Sequence, residues 1–197
     1  MTADPSRTGA DTADRILDVA QRLVQQRGFN GFSYADVAKE VGVSTASLHY
    51  HFAGKAELGE ALIARYASRF AESLGAIAAE PIDAPAKLAR YADLYADVFR
   101  DQRMCLCGML AAEFQTLPDG MRDAVLRFFD DSETWLCGVL EQGRREGSVH
   151  VDGSVNEAAR TFLAGLEGAM LLARPSGDIE RLQAATRGLL TGLTSVS

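Results

Sequence analysis

The chain has 197 residues, 47% of them hydrophobic and 24% charged, enough for one large domain or two small ones and too apolar to stay disordered. A formal net charge of −7 excludes a broad positive field for nucleic acid, and three cysteines exclude a disulfide framework. No apolar run approaches the ~20 residues of a membrane span, and the polar start MTADPSRTGADTAD has no apolar signal core, so a cytoplasmic protein is expected.

Nearly every segment has helical spacing, and no stretch alternates as a strand, which predicts an all-α fold of about nine helices. Residues 1–11 read as a disordered arm. Thr12 is the expected cap of the first helix, whose stripe Ile16, Leu17, Ala20, Leu23 and Val24 ends at Gly28. Ser33 caps a second helix with Val37, Ala38 and Val41 facing inward, and Gly42 ends it in the left-handed conformation. Ser44 caps a third, running to about His51, with Leu48 and Phe52 as anchors. Gly54 and Lys55 open a long fourth helix to about Ala79. Pro81 and Pro85 interrupt the pattern. Further helices are expected at 85–101, 105–116, 119–146, 154–173 and 178–194. The division expected is the arm, a helix-turn-helix domain at 12–56, and a larger domain at 57–197.

The segment FSYADVAKEVGVSTASLHYHFAGKAEL, Phe32 to Leu58, is the most informative in the chain. A helix-turn-helix needs a small residue at the turn and an apolar pin, and Gly42 and Val43 supply them. Its second helix must enter a major groove about 12 Å wide with a polar, small-residue face. Thr45 and Ser47 offer hydroxyls, Ala46 suits a thymine methyl, and His49 and Tyr50 reach phosphate or base edges. Lys55, at a helix N-terminus, suits a phosphate, and Ser33 can use its hydroxyl on the opposite strand. Residues 1–60 carry six Lys/Arg against eight Asp/Glu, so such binding rests on a few placed donors.

From Thr12 to Leu58 the chain resembles the N-terminal domain of the TetR family of bacterial transcription regulators. The match runs through RILDVAQRLVQQRGF, then F-S-Y-A-D-V-A, G-V-S-x-x-S-L and Y-H-F-x-x-K-x-x-L. The resemblance implies an all-helical homodimer whose recognition helices enter successive major grooves of a palindromic, double-stranded operator. It implies too that the divergent C-terminal domain binds a small-molecule effector that releases the DNA. By resemblance, Ser33, Thr45, Ser47, Tyr50, His51 and Lys55 fall at positions that often contact DNA, His51 being more often a packing and capping residue. His49 departs from the pattern, standing where many members have a phosphate-binding tyrosine. A few relatives use the fold as a protein–protein adaptor on DNA without regulating transcription, the alternative to a repressor.

In the remaining two-thirds, Phe99, Met104, Met109, Leu110, Phe114, Phe128, Phe129 and Trp135 are candidate pocket walls; for any one of them an ordinary core is the favoured reading, and the pocket is what the resemblance implies. Glu113, Gln115, Tyr91, Tyr95 and Glu167 are the polar groups that could orient a ligand. The last two helices combine Gly165, Gly168, Ala169, Gly188 and Gly192 with leucines. Glycine within a helix costs roughly 1 kcal/mol against alanine, so this density points to close helix approach, either in a two-fold dimer interface or within one chain. Cys105 and Cys107 lie two residues apart, about 200° around a helix, and cannot share a metal on a regular one. No metal or cofactor is expected. The two thiols read either as small buried apolar groups or as a redox- or electrophile-sensing pair beside Arg100 and Arg103. No nucleophile–base–acid spacing or phosphate-binding glycine loop points to an enzyme.

Overall fold

A computed structural model describes the backbone of residues 5–194 and the side chains of 11–194. Among the described residues there are nine α-helices and no strand: α1 (Pro5–Arg27), α2 (Tyr34–Val41), α3 (Thr45–His51), α4 (Lys55–Ala79), α5 (Ala84–Arg100), α6 (Leu106–Ala112), α7 (Asp119–Glu146), α8 (Val155–Ala173) and α9 (Ile179–Thr194). The expected arm differs from this. Its residues 1–4 lie outside the described residues, and from Pro5 onward it is helix. Proline suits the first helical position, where its fixed φ and missing N–H cost nothing, so the helix starts there and not at Thr12. No described helix is long and apolar enough to cross a membrane.

The fold divides into two compact units. The first ends at Ala67 and is completed by Leu106–Val125; the second comprises Ser68–Cys105 and the chain from Leu126 onward.

In the first unit, the α1 stripe Ile16, Ala20, Leu23 and Val24 is buried with Val37, Val41 and Leu48, and α1 packs on α2 and α6. Local chemistry sets each helix end. Gly28 closes α1 at φ 82°, its N–H donating to the Val24 carbonyl at 2.9 Å. Ser33 and Asp36 form a capping box on α2: the Asp36 N–H donates to Ser33 Oγ at 3.3 Å and the Ser33 N–H to Asp36 Oδ2 at 2.7 Å. At the other end Gly42 takes φ 78° and the Val43 N–H reaches back to the Ala38 carbonyl at 3.0 Å, a Schellman closure. Ser44 accepts from the Ser47 N–H at 3.1 Å and starts α3. From α6, Leu106, Cys107 and Leu110 fill the same core.

The core of the second unit is built from α5, α7 and α8. Leu88, Tyr91, Tyr95 and Phe99 of α5 are buried, as are Leu136 and Leu140 of α7 and Phe162, Leu166 and Met170 of α8. Two polar groups hold the end of α4: Trp135 Nε1 donates to the Leu74 carbonyl at 3.2 Å, and the buried Lys87 donates to the Ala78 carbonyl at 3.0 Å. The Ala78 carbonyl is among the last four of α4 and needs a donor from outside it, whereas the Leu74 carbonyl lies one turn earlier. α9 packs on α8 and α5.

Candidate DNA-reading surface and effector region

The third helix presents the face expected of it. Thr45, Ala46, His49 and Tyr50 are exposed, Ser47 and His51 half-buried, and Leu48 turns into the core. Tyr50 is 86% exposed, its ring edge-on to His51 at 5.3 Å. An aromatic side chain so open contributes nothing to the core of its own chain, which suits contact with something else. His49 is oriented from behind. Its Nδ1 lies 3.1 Å from the Ala53 carbonyl and its ring centroid 4.8 Å from that of Tyr34. A carbonyl only accepts, so Nδ1 carries the hydrogen and Nε2 remains for an outside partner. Ser33 is exposed, but its hydroxyl already serves the α2 cap, donating to Asp36 Oδ2 at 2.7 Å.

Lys55 is placed differently from the expectation. Its ammonium turns inward and donates to the carbonyls of Phe29 and Phe32, each at 2.5 Å. It also lies 4.7 and 4.2 Å from the centroids of those two rings. The loop between α1 and α2 leaves carbonyls without helical partners, and a long cationic side chain reaching them satisfies both. Burial pulls the lysine below its ordinary range, while Glu113 and Asp36 pull the other way.

Glu113, expected among the polar groups of a pocket, grips the other side of this loop. Its Oε2 accepts from the Phe29 N–H at 2.5 Å and its Oε1 from the Asn30 N–H at 3.2 Å. Asn30 Nδ2 also donates to Thr116 Oγ1 at 2.8 Å. Gly28 is required by its positive φ, and a Cβ there would also push against the Glu113 carboxylate. The link between α1 and α2 is thus held by an anion on its N–H groups and a cation on its carbonyls.

Three further groups were missed by the sequence reading. Tyr34 donates to the Phe52 carbonyl at 3.1 Å; burial, and then the nearby Glu57 carboxylate, push its phenol up to about 12, so it stays a donor at neutral pH. Arg15 donates to the Val41 carbonyl at 2.6 Å, finishing the C-terminus of α2. Glu57 accepts from the Ala53 N–H at 2.7 Å at the start of α4. Only Glu57 had a local signal, a carboxylate in the first turn of its helix.

The expected pocket residues are shared between the two units. Phe99, Met104, Phe128 and Trp135 belong to the second unit; Met109, Glu113 and Phe114 belong to the first. Phe128 and Trp135 join an aromatic cluster around Tyr91, which stacks on Trp135 at 5.5 Å and contacts Phe70 at 5.8 Å and Phe162 at 6.3 Å. Tyr91 and Tyr95 hydroxyls lie 3.4 Å apart. Among the candidate thiols, Cys105 and Cys107 are both buried. Cys137 is half-buried, its thiol donating to Asn156 Oδ1 at 3.0 Å; burial first, then Glu133 and Glu141, push it up.

A groove of about 610 Å³ runs between α8 and α9, with Phe162, Gly165, Gly188, Leu189 and Gly192 in its walls. The glycines divide into two kinds. A Cβ at Gly165 would strike Leu189 of the same chain, whereas Gly168, Gly188 and Gly192 face open space. Leu171 and Leu172, near the end of α8, are 57% and 73% exposed.

Comparison with known proteins covers both halves of the chain. Residues 16–62 match the family described as bacterial regulatory proteins, tetR family, and residues 84–189 the tetracyclin repressor-like C-terminal domain. A TetR-family regulator from Agrobacterium tumefaciens superposes with a TM-score of 0.91 at 32% identity, covering 95% of this chain and 100% of its own. The transcriptional repressor NemR of Escherichia coli is 26% identical over 90% of this chain and 92% of its own length, and its reduced form superposes with a TM-score of 0.83, covering 95% of this chain and 100% of its own. The transcriptional regulator AcuR of Cereibacter sphaeroides is 27% identical over 82% of this chain and 76% of its own. An exposed reading helix on a capped helix-turn-helix, and relatives that align along nearly the whole length, lead to one conclusion: the chain belongs to the TetR family of DNA-binding bacterial transcriptional regulators.

Proposed function

We propose that this protein is a cytoplasmic repressor that works as a homodimer paired through α8 and α9, binds a palindromic operator through α3, and is released by a small molecule held in its second unit. The observation that carries the reading is the outer face of α3, with Tyr50 at 86% exposure beside Thr45, Ala46, Ser47 and His49. Pairing through α8 and α9 is supported by three glycines open to space and two exposed leucines. Release is a population shift: ligand favours a state whose two reading helices no longer match successive grooves ~34–36 Å apart. In this reading Lys55 positions the reading helix and does not touch phosphate.

The experiment is operator binding by fluorescence anisotropy, with the dimer checked by sedimentation. Tyr50→Ala is expected to weaken binding at least tenfold, about 1.4 kcal/mol, without altering dimerisation. Unchanged affinity would remove α3 from the interface.

Release by thiol modification is supported less well than release by a ligand, because Cys105 and Cys107 are buried and Cys137 is held as a neutral thiol. Treatment of the reduced protein with N-ethylmaleimide is expected to be slow, to label Cys137 first, and to leave operator affinity within about twofold. Loss of operator binding in step with labelling of Cys105 would reverse the order of the two routes.

A further inference from the structure

The second unit contains a half-buried acid, one oxygen of which its own chain does not satisfy. Glu167 lies on α8, and its Oε1 is buried with no hydrogen-bond partner. The Tyr95 hydroxyl and the Cys105 thiol stand against the carboxyl. Beyond them come the Tyr91 hydroxyl, 3.4 Å from that of Tyr95, and Ser132, which donates to the Phe128 carbonyl at 2.8 Å. The surrounding walls are rings: Tyr91 on Trp135, Phe70 against Phe128 at 5.2 Å and Tyr95 at 6.4 Å, and Phe162 beside Tyr91.

None of the charges acting on Glu167, Tyr91 or Tyr95 is a lysine or an arginine. A buried oxygen without a partner costs about 1–3 kcal/mol, and a leucine would fill the place at no such cost. The chemistry left unsatisfied is specific. Aromatic faces carry partial negative charge and attract cations. A carboxylate does the same, and together they repel anions. A neutral alcohol could bond Oε1 but would gain little from the rings.

We propose that Glu167 and the aromatic box around Tyr91 form the receptor for a positively charged nitrogen, so that the effector is a compact organic ammonium ion. The proposal rests on the reading of the protein as an effector-released repressor. Tyr91 and Tyr95 are 0% and 3% exposed, so side chains must move to admit the ligand and the ligand must be small. The proton balance follows from burial, which holds the empty Glu167 above the ordinary carboxylate range. Where the empty acid is protonated, the incoming ammonium ion displaces its proton to solvent, and the ion pair that forms carries no net charge.

The test uses three molecules of one size: butylammonium, butan-1-ol and butyrate. Trp135 is the chain's single tryptophan and stacks on Tyr91, so its fluorescence reports on the box. Butylammonium is expected to give a saturable change, butan-1-ol to bind at least tenfold more weakly, and butyrate to give none. Calorimetry in two buffers of different ionisation enthalpy, at a pH where the empty acid is protonated, should show proton release on binding butylammonium. Glu167→Gln should weaken butylammonium at least tenfold, abolish the proton release and leave butan-1-ol within twofold. Glutamine keeps the shape of the acid, so this variant should stay folded, which helical circular dichroism checks.

Equal binding of the three probes, preference for butyrate, no response to butylammonium, or an unaltered Glu167→Gln profile would each overturn the proposal. Operator affinity measured alongside separates the two readings. If butylammonium binds as expected but operator affinity does not change, the cation receptor stands and effector release falls. If butylammonium releases DNA equally well from Glu167→Gln, release stands and the receptor falls.

Discussion

Glu113→Ala and Lys55→Ala are each expected to weaken operator binding at least tenfold, although neither side chain faces the proposed reading surface. Glu113 is joined to the Phe29 and Asn30 N–H groups, Lys55 to the Phe29 and Phe32 carbonyls. Hydrogen bonds to charged groups contribute about 1.5–3 kcal/mol each. Removing either side chain leaves two backbone groups of the link between α1 and α2 without their partners. That link fixes where α2 starts, and α2 carries α3 behind it through the Gly42 turn. The two changes share one peptide segment, so they should not add. A double-mutant cycle is expected to show a coupling of at least about 0.5 kcal/mol.

Salt dependence distinguishes positioning from direct contact. A lysine bound to phosphate contributes about 0.9 to the slope of log affinity against log salt. Lys55→Ala is therefore expected to lower affinity at all salt concentrations with little change of slope. A slope reduced by about one, with Glu113→Ala silent, would restore Lys55 to the phosphate backbone.

The larger effect is expected from the pairing surface. Leu171→Glu combined with Leu172→Glu should give a monomer in sedimentation and weaken operator binding at least 100-fold. In a two-fold interface each patch meets its own copy, so two added carboxylates per chain face two more across the axis. Binding of the second head to its half-site is intramolecular only while the dimer holds, and linkage of that kind is worth about 10²–10⁴ in avidity. The natural side chains are 57% and 73% exposed and the helices keep their packing on α5, so the monomer should remain folded. Helical circular dichroism checks this. A doubly charged variant that stays dimeric and binds fully would place the pairing surface elsewhere.

The pH dependence of stability has its own sign. Glu167 is raised by burial, so its contribution is fully present below the ordinary carboxylate range and is lost as pH rises through its folded value. Glu167→Gln should flatten that decline.

What could be read from the residues follows the range of the physics involved. Ser33, Gly42 and Ser44 act on backbone groups three or four positions away, so the ends of α2 and α3 are legible in the sequence, and the structure places them at Tyr34–Val41 and Thr45–His51. The exposed side of α3 follows from the same short spacing. Pro5 is a start signal of equal range, but the polar residues after it carry no apolar stripe to mark a helix. Glu113 is different. Its partner lies 84 residues away, and no periodicity or motif links a carboxylate after α6 to a glycine at the end of α1. Lys55 sits in a motif that reads as a phosphate site, and the Phe29 and Phe32 carbonyls its ammonium meets lie 26 and 23 residues away, beyond the reach of local pattern. Apolarity is common to every core and does not mark pocket walls, and the apolar candidates fall in both units.

The first unit borrows Leu106–Val125 from far along the chain. A fragment cut at Ala67 would therefore lack α6 and the Glu113 grip, and would expose the apolar side of α1 that Leu106 and Leu110 cover. Exchange of operator specificity between relatives by swapping N-terminal segments must carry the inserted stretch as well, or graft only the outward residues of α3 onto an intact recipient.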